Sequence, residues 1–170
     1  MEGASPNIVF RSASTADKEY ALDCFVRAFH EVWELEGVMP DATDSELRER
    51  VRHLLGPRPR GVVSRLLGRG ENMPRETIIA MEEGHRLGCL VLTMRPDMGP
   101  RTAWIDLIFV EPEERLRGVG SVIMAKADEW ARARGATSLM LNVSATNLIA
   151  IHLYQSMGYS SSSFCMRKKL

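Results

Sequence analysis

Seven consecutive residues in the second half of the 170-residue chain have the composition of a phosphate-binding loop. The loop follows an apolar stretch, precedes a segment with helical spacing, and consists of Arg115, Leu116, Arg117, Gly118, Val119, Gly120 and Ser121. Its two glycines let the backbone bend sharply and approach a ligand closely. Backbone N–H groups at the start of a helix, together with the helix dipole, attract anions. The segment therefore indicates phosphate binding; an ordinary strand-to-helix turn is the structural alternative.

A carboxylate inside the preceding apolar stretch is the second candidate for chemistry. Asp106 lies within residues 103–110, where nearly every other side chain is apolar. Burying a charge among such neighbours costs free energy unless the group is paired or has a function. A general base is the functional interpretation, and a salt bridge with one of the many arginines is the structural one. Glu111, just after the stretch, is a second candidate base.

The elements that must position these residues predict a single α/β (α+β) domain. Residues 103–110 are typical of a strand buried on both faces. Hydrophobic periodicity and the glycine and proline positions give the order β-α-α-β-β-β-α-β-α-β. Strands are expected at 7–11, 77–81, 86–95, 103–110, 138–143 and 159–169, helices at about 14–35, 44–55, 118–134 and 147–157, and one further helical turn at 62–67. This order favours a mixed sheet with helices on its faces.

Composition excludes several classes of protein. Twenty-two basic and 22 acidic residues give a formal net charge of +0, so the chain lacks the positive field that non-specific nucleic-acid binding needs. Three cysteines and four histidines show no metal-ligand spacing, so we expect no metal. We find neither a signal-peptide pattern nor a run of the ~20 apolar residues that span a membrane. The expectation is a cytoplasmic protein without nucleic-acid or membrane partners.

Two motifs together resemble the GNAT superfamily of acetyl-CoA-dependent N-acetyltransferases. The first is the R-x-x-G-x-G form of residues 115–120, and the second is the N-x-x-A-x-x-L-Y pattern of residues 147–154, followed by Gly158-Tyr159. The resemblance covers residues 77–170 strongly and residues 1–76 only in topology. It implies one GNAT domain over residues 1–170, with about six to seven strands and about four helices. Residues 77–170 would hold acetyl-CoA, and residues 1–76 would form the acceptor side.

The resemblance implies specific contacts with the donor. Residues 115–121 would hold the pyrophosphate, and the main chain of Ile108, Phe109 and Val110 would bind pantetheine where two parallel strands part. One of those N–H groups would polarise the acetyl carbonyl. Asn147 and Ala150 share a helical face with Tyr154 and would also meet the cofactor. For Asn147, simple helix capping is the structural alternative.

The resemblance also implies catalytic roles. Tyr154 would protonate the departing thiolate of coenzyme A, because a phenol with a pKa near ~10 keeps its proton at neutral pH. The amine must lose a proton, and Asp106, Glu111 or a water held by a carboxylate would accept it. A half-buried core tyrosine is the alternative for Tyr154.

The acceptor is expected to be a primary amine. Residues 31–49 contain seven acids and one base, which suggests a cationic small molecule; two solvated helix faces are the structural alternative. A protein or peptide acceptor is a second hypothesis, and a non-catalytic acyl-CoA-binding regulatory domain is a third. The expected assembly is a monomer or a homodimer, and the sequence fixes neither that nor the acyl length.

Overall fold

Five strands form one mixed sheet in the computed structural model, which describes residues 7–38, 42–55, 74–99, 101–163 and 166. The strands are β1 (Val9–Ser12), β2 (Arg75–Glu82), β3 (His85–Met94), β4 (Thr102–Val110) and β5 (Ser138–Met140). They neighbour each other in chain order. The pairs β1–β2, β2–β3 and β3–β4 are antiparallel, whereas β5 runs parallel to β4. Glu83 and Gly84 make the tight turn between β2 and β3, with φ of 48° and 83°.

Four α-helices of the described chain cover the sheet. They are α1 (Lys18–Glu36), α2 (Asp44–Leu55), α3 (Val119–Ala133) and α4 (Leu148–Ser156). A 3-10 turn at Thr15–Asp17 leads into α1, and the Asp17 carboxylate accepts hydrogen bonds from the backbone N–H and the hydroxyl of Ser14. Gly37 ends α1 with a φ of 62°, a conformation that glycine adopts without steric cost. The predicted bounds of α2 are confirmed to the residue.

The helices pack in two layers because β3 and β4 are apolar on both faces. Leu90 and Leu92 of β3 face the core beneath α3 and α4, while Cys89 and Val91 face the core beneath α1 and α2. All four side chains are at most 1% exposed. The predicted mixed sheet with helices on both faces is therefore confirmed, and its centre is a strand with no solvent-facing side.

Three expectations about smaller elements differ from the structure. The strand expected at 138–143 is shorter, because regular pairing with β4 ends at Met140. The strand expected at 159–169 is absent from residues 159–163, and most of the remainder lies outside the described residues. The expected sheet of six to seven strands therefore has five in the described chain. The helical turn expected at 62–67 also lies outside the described residues.

Candidate active site

A β-bulge places Asp106 within β4. Leu107 pairs with Val91 and Ile105 pairs with Leu92, so Asp106 is an extra residue without a partner on β3. The bulge shifts the alternation of the strand: Ile105 packs beneath α3 and α4, but Leu107 packs beneath α1 and α2. Such a bulge bends the strand and turns a side chain out of its regular direction. It explains how a carboxylate is accommodated in an apolar strand.

Among the residues that the structure describes, the Asp106 carboxylate interacts with a threonine and not with an arginine. Thr93 Oγ1 donates a hydrogen bond to Asp106 Oδ2, and the same hydroxyl accepts one from Arg75 Nε at 3.0 Å. Thr93 is 1% exposed and continues the Cys89–Val91 side of β3, so Asp106 points toward the α1 layer of the sheet. The salt bridge that the sequence left open for Asp106 does not form among the described residues.

Glu111, the other candidate base, is engaged at both oxygens. Tyr20 donates its hydroxyl to Glu111 Oε1 at 2.8 Å, and Arg27 contacts Oε2 at 2.9 Å. Burial, together with the negative charge of neighbouring groups, raises the pKa of Tyr20, which keeps its hydroxyl a donor. Glu111 therefore joins α1 to the end of β4, and its oxygens are less available than those of Asp106.

The parallel pair β4 and β5 parts soon after it begins. Pairing covers only Thr102–Ser138, Ala103–Leu139 and Trp104–Met140. β4 continues for six more residues to Val110, whereas residues 141–144 are not in a strand. Within 101–163, all of which the structure describes, the edge of β4 from Ile105 onward has no strand beside it. This edge includes Ile108, Phe109 and Val110 and can receive an extended ligand.

The glycine loop adopts a conformation that presents backbone N–H groups. Leu116 and Gly118 have φ values of 61° and 82°, and Gly118 is the N-cap of α3. Val122 makes the first backbone hydrogen bond of α3, to Gly118 O at 3.2 Å. The N–H groups of Val119, Gly120 and Ser121 precede it and are the unpaired donors of a helix start. Leu116 is 94% exposed, so packing does not account for its strained backbone.

Two glycines permit close contacts near the end of β4. A Cβ on Gly120 would lie 3.2 Å from Leu153 Cδ2 of α4, so the small residue lets α3 begin against α4. A Cβ on Gly88 would lie 2.2 Å from Phe109 O, a distance that no side chain can occupy. Gly88 therefore permits the close approach of β3 to the last residues of β4.

The two loop arginines form ion pairs within the protein. Arg115 contacts Glu31 of α1 at 2.6 Å and donates through Nε to Val110 O at 3.1 Å. Arg117 contacts Glu82 at 3.0 Å and also pairs with Glu114. All of these residues lie at the same end of the sheet as the glycine loop. The loop thus combines unpaired backbone donors with two arginines whose charges carboxylates now balance.

The helix after β5 brings the second motif to the site. Asn147 Oδ1 accepts a hydrogen bond from Ala150 N at 3.1 Å, so its side chain caps α4, as the structural interpretation of the sequence held. Ala150 is half-buried against the core, and Tyr154 is 8% exposed. Burial raises the pKa of Tyr154, which favours the protonated phenol. His152, two residues before Tyr154, is exposed.

Sequence reasoning missed two features of the site. The first is the bulge with its threonine, for which the only signal was a lone aspartate in an apolar strand. The second is Tyr159, whose ring lies 5.8 Å from that of Tyr154, centroid to centroid. Within the described ranges the Tyr159 hydroxyl is buried and has no hydrogen-bond partner. Burial and the negative charge of Asp128 raise the pKa of Tyr159.

The described residues contain neither a candidate metal site nor a candidate membrane span. Nowhere in these ranges do three or more His, Cys, Asp or Glu side chains form a group that could hold a metal ion. None of the helices there is long and apolar enough to cross a membrane.

A sheet that opens between two parallel strands, beside a glycine loop and a buried tyrosine, defines a domain of the acetyltransferase class. The model of the acetyltransferase (GNAT) family matches residues 29–159 of this chain. Since that match covers most of the sequence, the chain belongs to the GNAT acetyltransferase family, and the resemblance inferred from the two motifs is confirmed.

Relatives of known sequence extend the comparison. The chain is 36% identical over 92 residues to the uncharacterized N-acetyltransferase YdgE of Bacillus subtilis, a match covering 54% of this chain and 59% of that protein. It is 28% identical over 138 residues to the aminoglycoside N(6')-acetyltransferase type 1 of Klebsiella aerogenes, covering 77% of this chain and 83% of that protein.

Solved structures share the fold. A GCN5-related N-acetyltransferase from Ralstonia eutropha superposes with a TM-score of 0.68 at 19% identity, over 96% of this chain and 99% of that one. The aminoglycoside acetyltransferase AAC(6')-Iy, in complex with the bisubstrate analogue CoA-S-monomethyl-acetylneamine, superposes with a TM-score of 0.59 at 19% identity and the same coverage. At these identities the likeness establishes architecture alone.

Proposed function

We propose that the protein transfers an acetyl group from acetyl-CoA directly to a primary amine of a small cationic acceptor. The observation that carries this proposal is the open edge of β4 beyond Trp104. The glycine loop follows β4 in the chain, and Tyr154 belongs to the core against which Ile108 and Val110 pack. An extended pantetheine chain needs a row of backbone partners, a pyrophosphate needs convergent N–H donors, and a departing thiolate needs a proton. Family membership indicates acetyl-CoA as the acetyl donor, and the arrangement of these three features supports the proposed position of acetyl-CoA.

The described residues are suited to binding acetyl-CoA. The N–H groups at the start of α3, with the positive φ values of Leu116 and Gly118, make an anion-binding concavity for the pyrophosphate. Residues 115–121 would hold that group, with Arg115 or Arg117 contributing a charge after exchanging its carboxylate partner. The main chain of residues 108–110 would hold pantetheine, and one of its N–H groups would polarise the acetyl carbonyl. Asn147 would add its amide N–H₂ group, since its oxygen caps α4.

Two side chains would move protons. As the new N–C bond forms and the C–S bond breaks, Tyr154 donates its phenolic proton to the sulfur, a role that its burial supports by keeping the phenol protonated. Asp106 accepts the proton of the amine, directly or through a water. Among the described residues only Thr93 donates a hydrogen bond to its side chain, which leaves the other carboxylate oxygen available, in contrast with Glu111.

The acceptor side is proposed from α1 and α2. The AAC(6')-Iy structure is a complex with the bisubstrate analogue CoA-S-monomethyl-acetylneamine, and the Klebsiella aerogenes relative is named an aminoglycoside N(6')-acetyltransferase. Aminoglycosides carry several amino groups. The acids of residues 31–49 suit such an acceptor, although Glu31, Asp44, Glu46 and Glu49 each have a partner within the protein. A peptide or protein amine is the alternative acceptor.

A thiol-release assay tests the proposal. Purified protein and acetyl-CoA are mixed with a panel of aminoglycosides, diamines, monoamines and lysine-containing peptides, and free coenzyme A is measured. Turnover with a small cationic amine is the expected result. Turnover restricted to peptides would favour the protein acceptor. Tight acetyl-CoA binding with no amine-dependent release would instead identify a regulatory acyl-CoA-binding domain.

A further inference from the structure

The apolar face of α1 is buried along only half of its length. Leu22, Phe25 and Val26 begin this face at steps of three and four residues and are 0–4% exposed. Phe29 and Trp33 continue the same face one and two turns later. Phe29 is 38% exposed and Trp33 is half-buried, with their ring centroids 6.0 Å apart. The second half of α1 therefore extends beyond the hydrophobic core that its first half covers.

Two contacts place this second half over the opening between β4 and β5. Glu31 contacts Arg115, in the loop that follows β4, at 2.6 Å. Glu36 accepts a hydrogen bond from Ser144 Oγ, in the segment that follows β5, at 2.9 Å. Since five helical residues span about 7.5 Å, α1 crosses between the carboxyl ends of the two strands. Asp106 lies on the same side of the sheet as α1.

The overhanging half of α1 is negatively charged. Residues 29–36 contain three glutamates and neither lysine nor arginine, and Arg115 balances the charge of one of them, Glu31. The backbone carbonyls at the end of α1 add the negative pole of the helix dipole. Aromatic faces such as those of Phe29 and Trp33 attract cations as well. The surface beside the acyl site thus combines aromatic rings with negative charge, which complements an organic ammonium group.

We propose that this half of α1 selects acceptors that carry a second cationic group besides the amine to be acetylated. The second group lies against the Trp33 ring and near the Glu36 carboxylate, while the reacting amine points toward Asp106. Trp33 and Glu36 are specificity-determining residues in this scheme and take no part in bond making. The inference rests on the proposed function, because it concerns the acceptor of the same site.

A matched pair of amines tests the inference. The molecules 1,4-diaminobutane and n-butylamine have the same carbon chain and differ only in the second amino group. With the wild-type protein we expect kcat/KM to be about fivefold higher for the diamine, since a partly desolvated charge or cation–π contact stabilises by about 1 kcal/mol. Glu36→Gln and Trp33→Leu should each reduce that ratio severalfold by lowering the value for the diamine alone.

Two control variants separate charge recognition from a loosened helix. Glu34→Gln removes a charge from an exposed position of α1 and should leave the ratio unchanged. Ser144→Ala removes the hydrogen bond to Glu36 but keeps its charge, so any effect of loosening α1 should fall equally on both amines. A wild-type ratio near one, or a Glu36→Gln variant that keeps the wild-type ratio, would overturn the inference.

Direct binding distinguishes a failure of this inference from a failure of the proposed function. Calorimetric titration of 1,4-diaminobutane and n-butylamine into the coenzyme A-loaded protein requires no turnover. Tighter binding of the diamine that Glu36→Gln abolishes would support the inference even if no amine releases thiol. Equal binding of the two amines by the wild-type protein would overturn it, even if both are acetylated.

Discussion

Replacing Tyr154 with phenylalanine tests the proposed acid most directly. The ring is 8% exposed and packs in the core beneath α3 and α4, and phenylalanine keeps that packing. The described residues provide no hydrogen bond to the hydroxyl, so the free energy of unfolding should change by less than about 1 kcal/mol. The variant therefore removes one proton donor from an otherwise intact site.

The expected effect is confined to turnover. A positioned acid contributes about 10²–10⁴-fold to a rate, so kcat for thiol release should fall by about 10²-fold or more. The KM for acetyl-CoA should change by less than about threefold, because the hydroxyl acts only on the departing sulfur. Burial raises the pKa of Tyr154, so the wild-type kcat should show no loss from its ionisation below about pH 10.

Tyr159→Phe is a matched control, since its ring lies 5.8 Å from that of Tyr154. It also removes a buried hydroxyl, but one with no partner in the described structure. Leaving such a group unsatisfied costs about 1–3 kcal/mol, so this variant should be at least as stable as the wild type in urea or thermal unfolding. Its kcat should be unchanged. Equal kcat losses in the two variants, or parallel losses of kcat and acetyl-CoA affinity in Tyr154→Phe, would refute the acid assignment.

Substitutions at three positions, one of them with a second-site rescue, test the scaffold. Gly88→Ala places a Cβ 2.2 Å from Phe109 O and should lower the free energy of unfolding by about 3 kcal/mol, measured in urea. Gly120→Ala should raise the KM for acetyl-CoA, and adding Leu153→Ala, which clears the 3.2 Å contact, should restore it; no rescue would contradict the contact. Asp17→Asn should lower the free energy of unfolding by about 2–3 kcal/mol and weaken its dependence on pH in acid.

The neighbours of Asp17 explain why its contribution to stability depends on pH in acid. Hydrogen bonds from Arg11 hold the pKa of the 1%-exposed carboxylate well below its usual range, against the opposing effect of burial, and Ser14 and Arg86 add to the lowering. Because the folded pKa is the lower one, this contribution is complete above about pH 4 and declines as the pH falls further. A wild-type stability that stays constant between pH 5 and pH 2, measured by urea unfolding, would contradict it.

Local signals explain why the element order could be predicted from the sequence. Gly37 stops α1 and Gly118 precedes α3, and both have the positive φ that glycine favours. Residues 103–110 are apolar on both sides and form the strand that both helical layers cover. The same apolar character concealed the bulge, because a one-residue shift in a strand without polar alternation leaves no trace in the pattern.

Long-range pairing explains what the sequence could not show. Residues 141–143 were expected to continue β5, yet the strand ends at Met140, and strand pairing depends on neighbours as much as on propensity. The loop motif includes Arg115, but nothing in the motif indicates its contact with Glu31, 84 residues earlier in the chain. Charge counts predict how many such pairs can form and not which residues they join.

The two edges of β4 would let one strand serve both packing and the proposed chemistry. Its β3 edge pairs from Ala103 to Val110, and the close approach at Gly88 fixes the last residues in place. The strand therefore keeps its position even though β5 supports it over only three residues. An acyl site needs an edge that is both rigid and unpaired, and these conditions conflict unless the opposite edge supplies the rigidity. Loosening the β3–β4 contact should therefore impair the site before it unfolds the chain, whereas changes in β5 should affect it less.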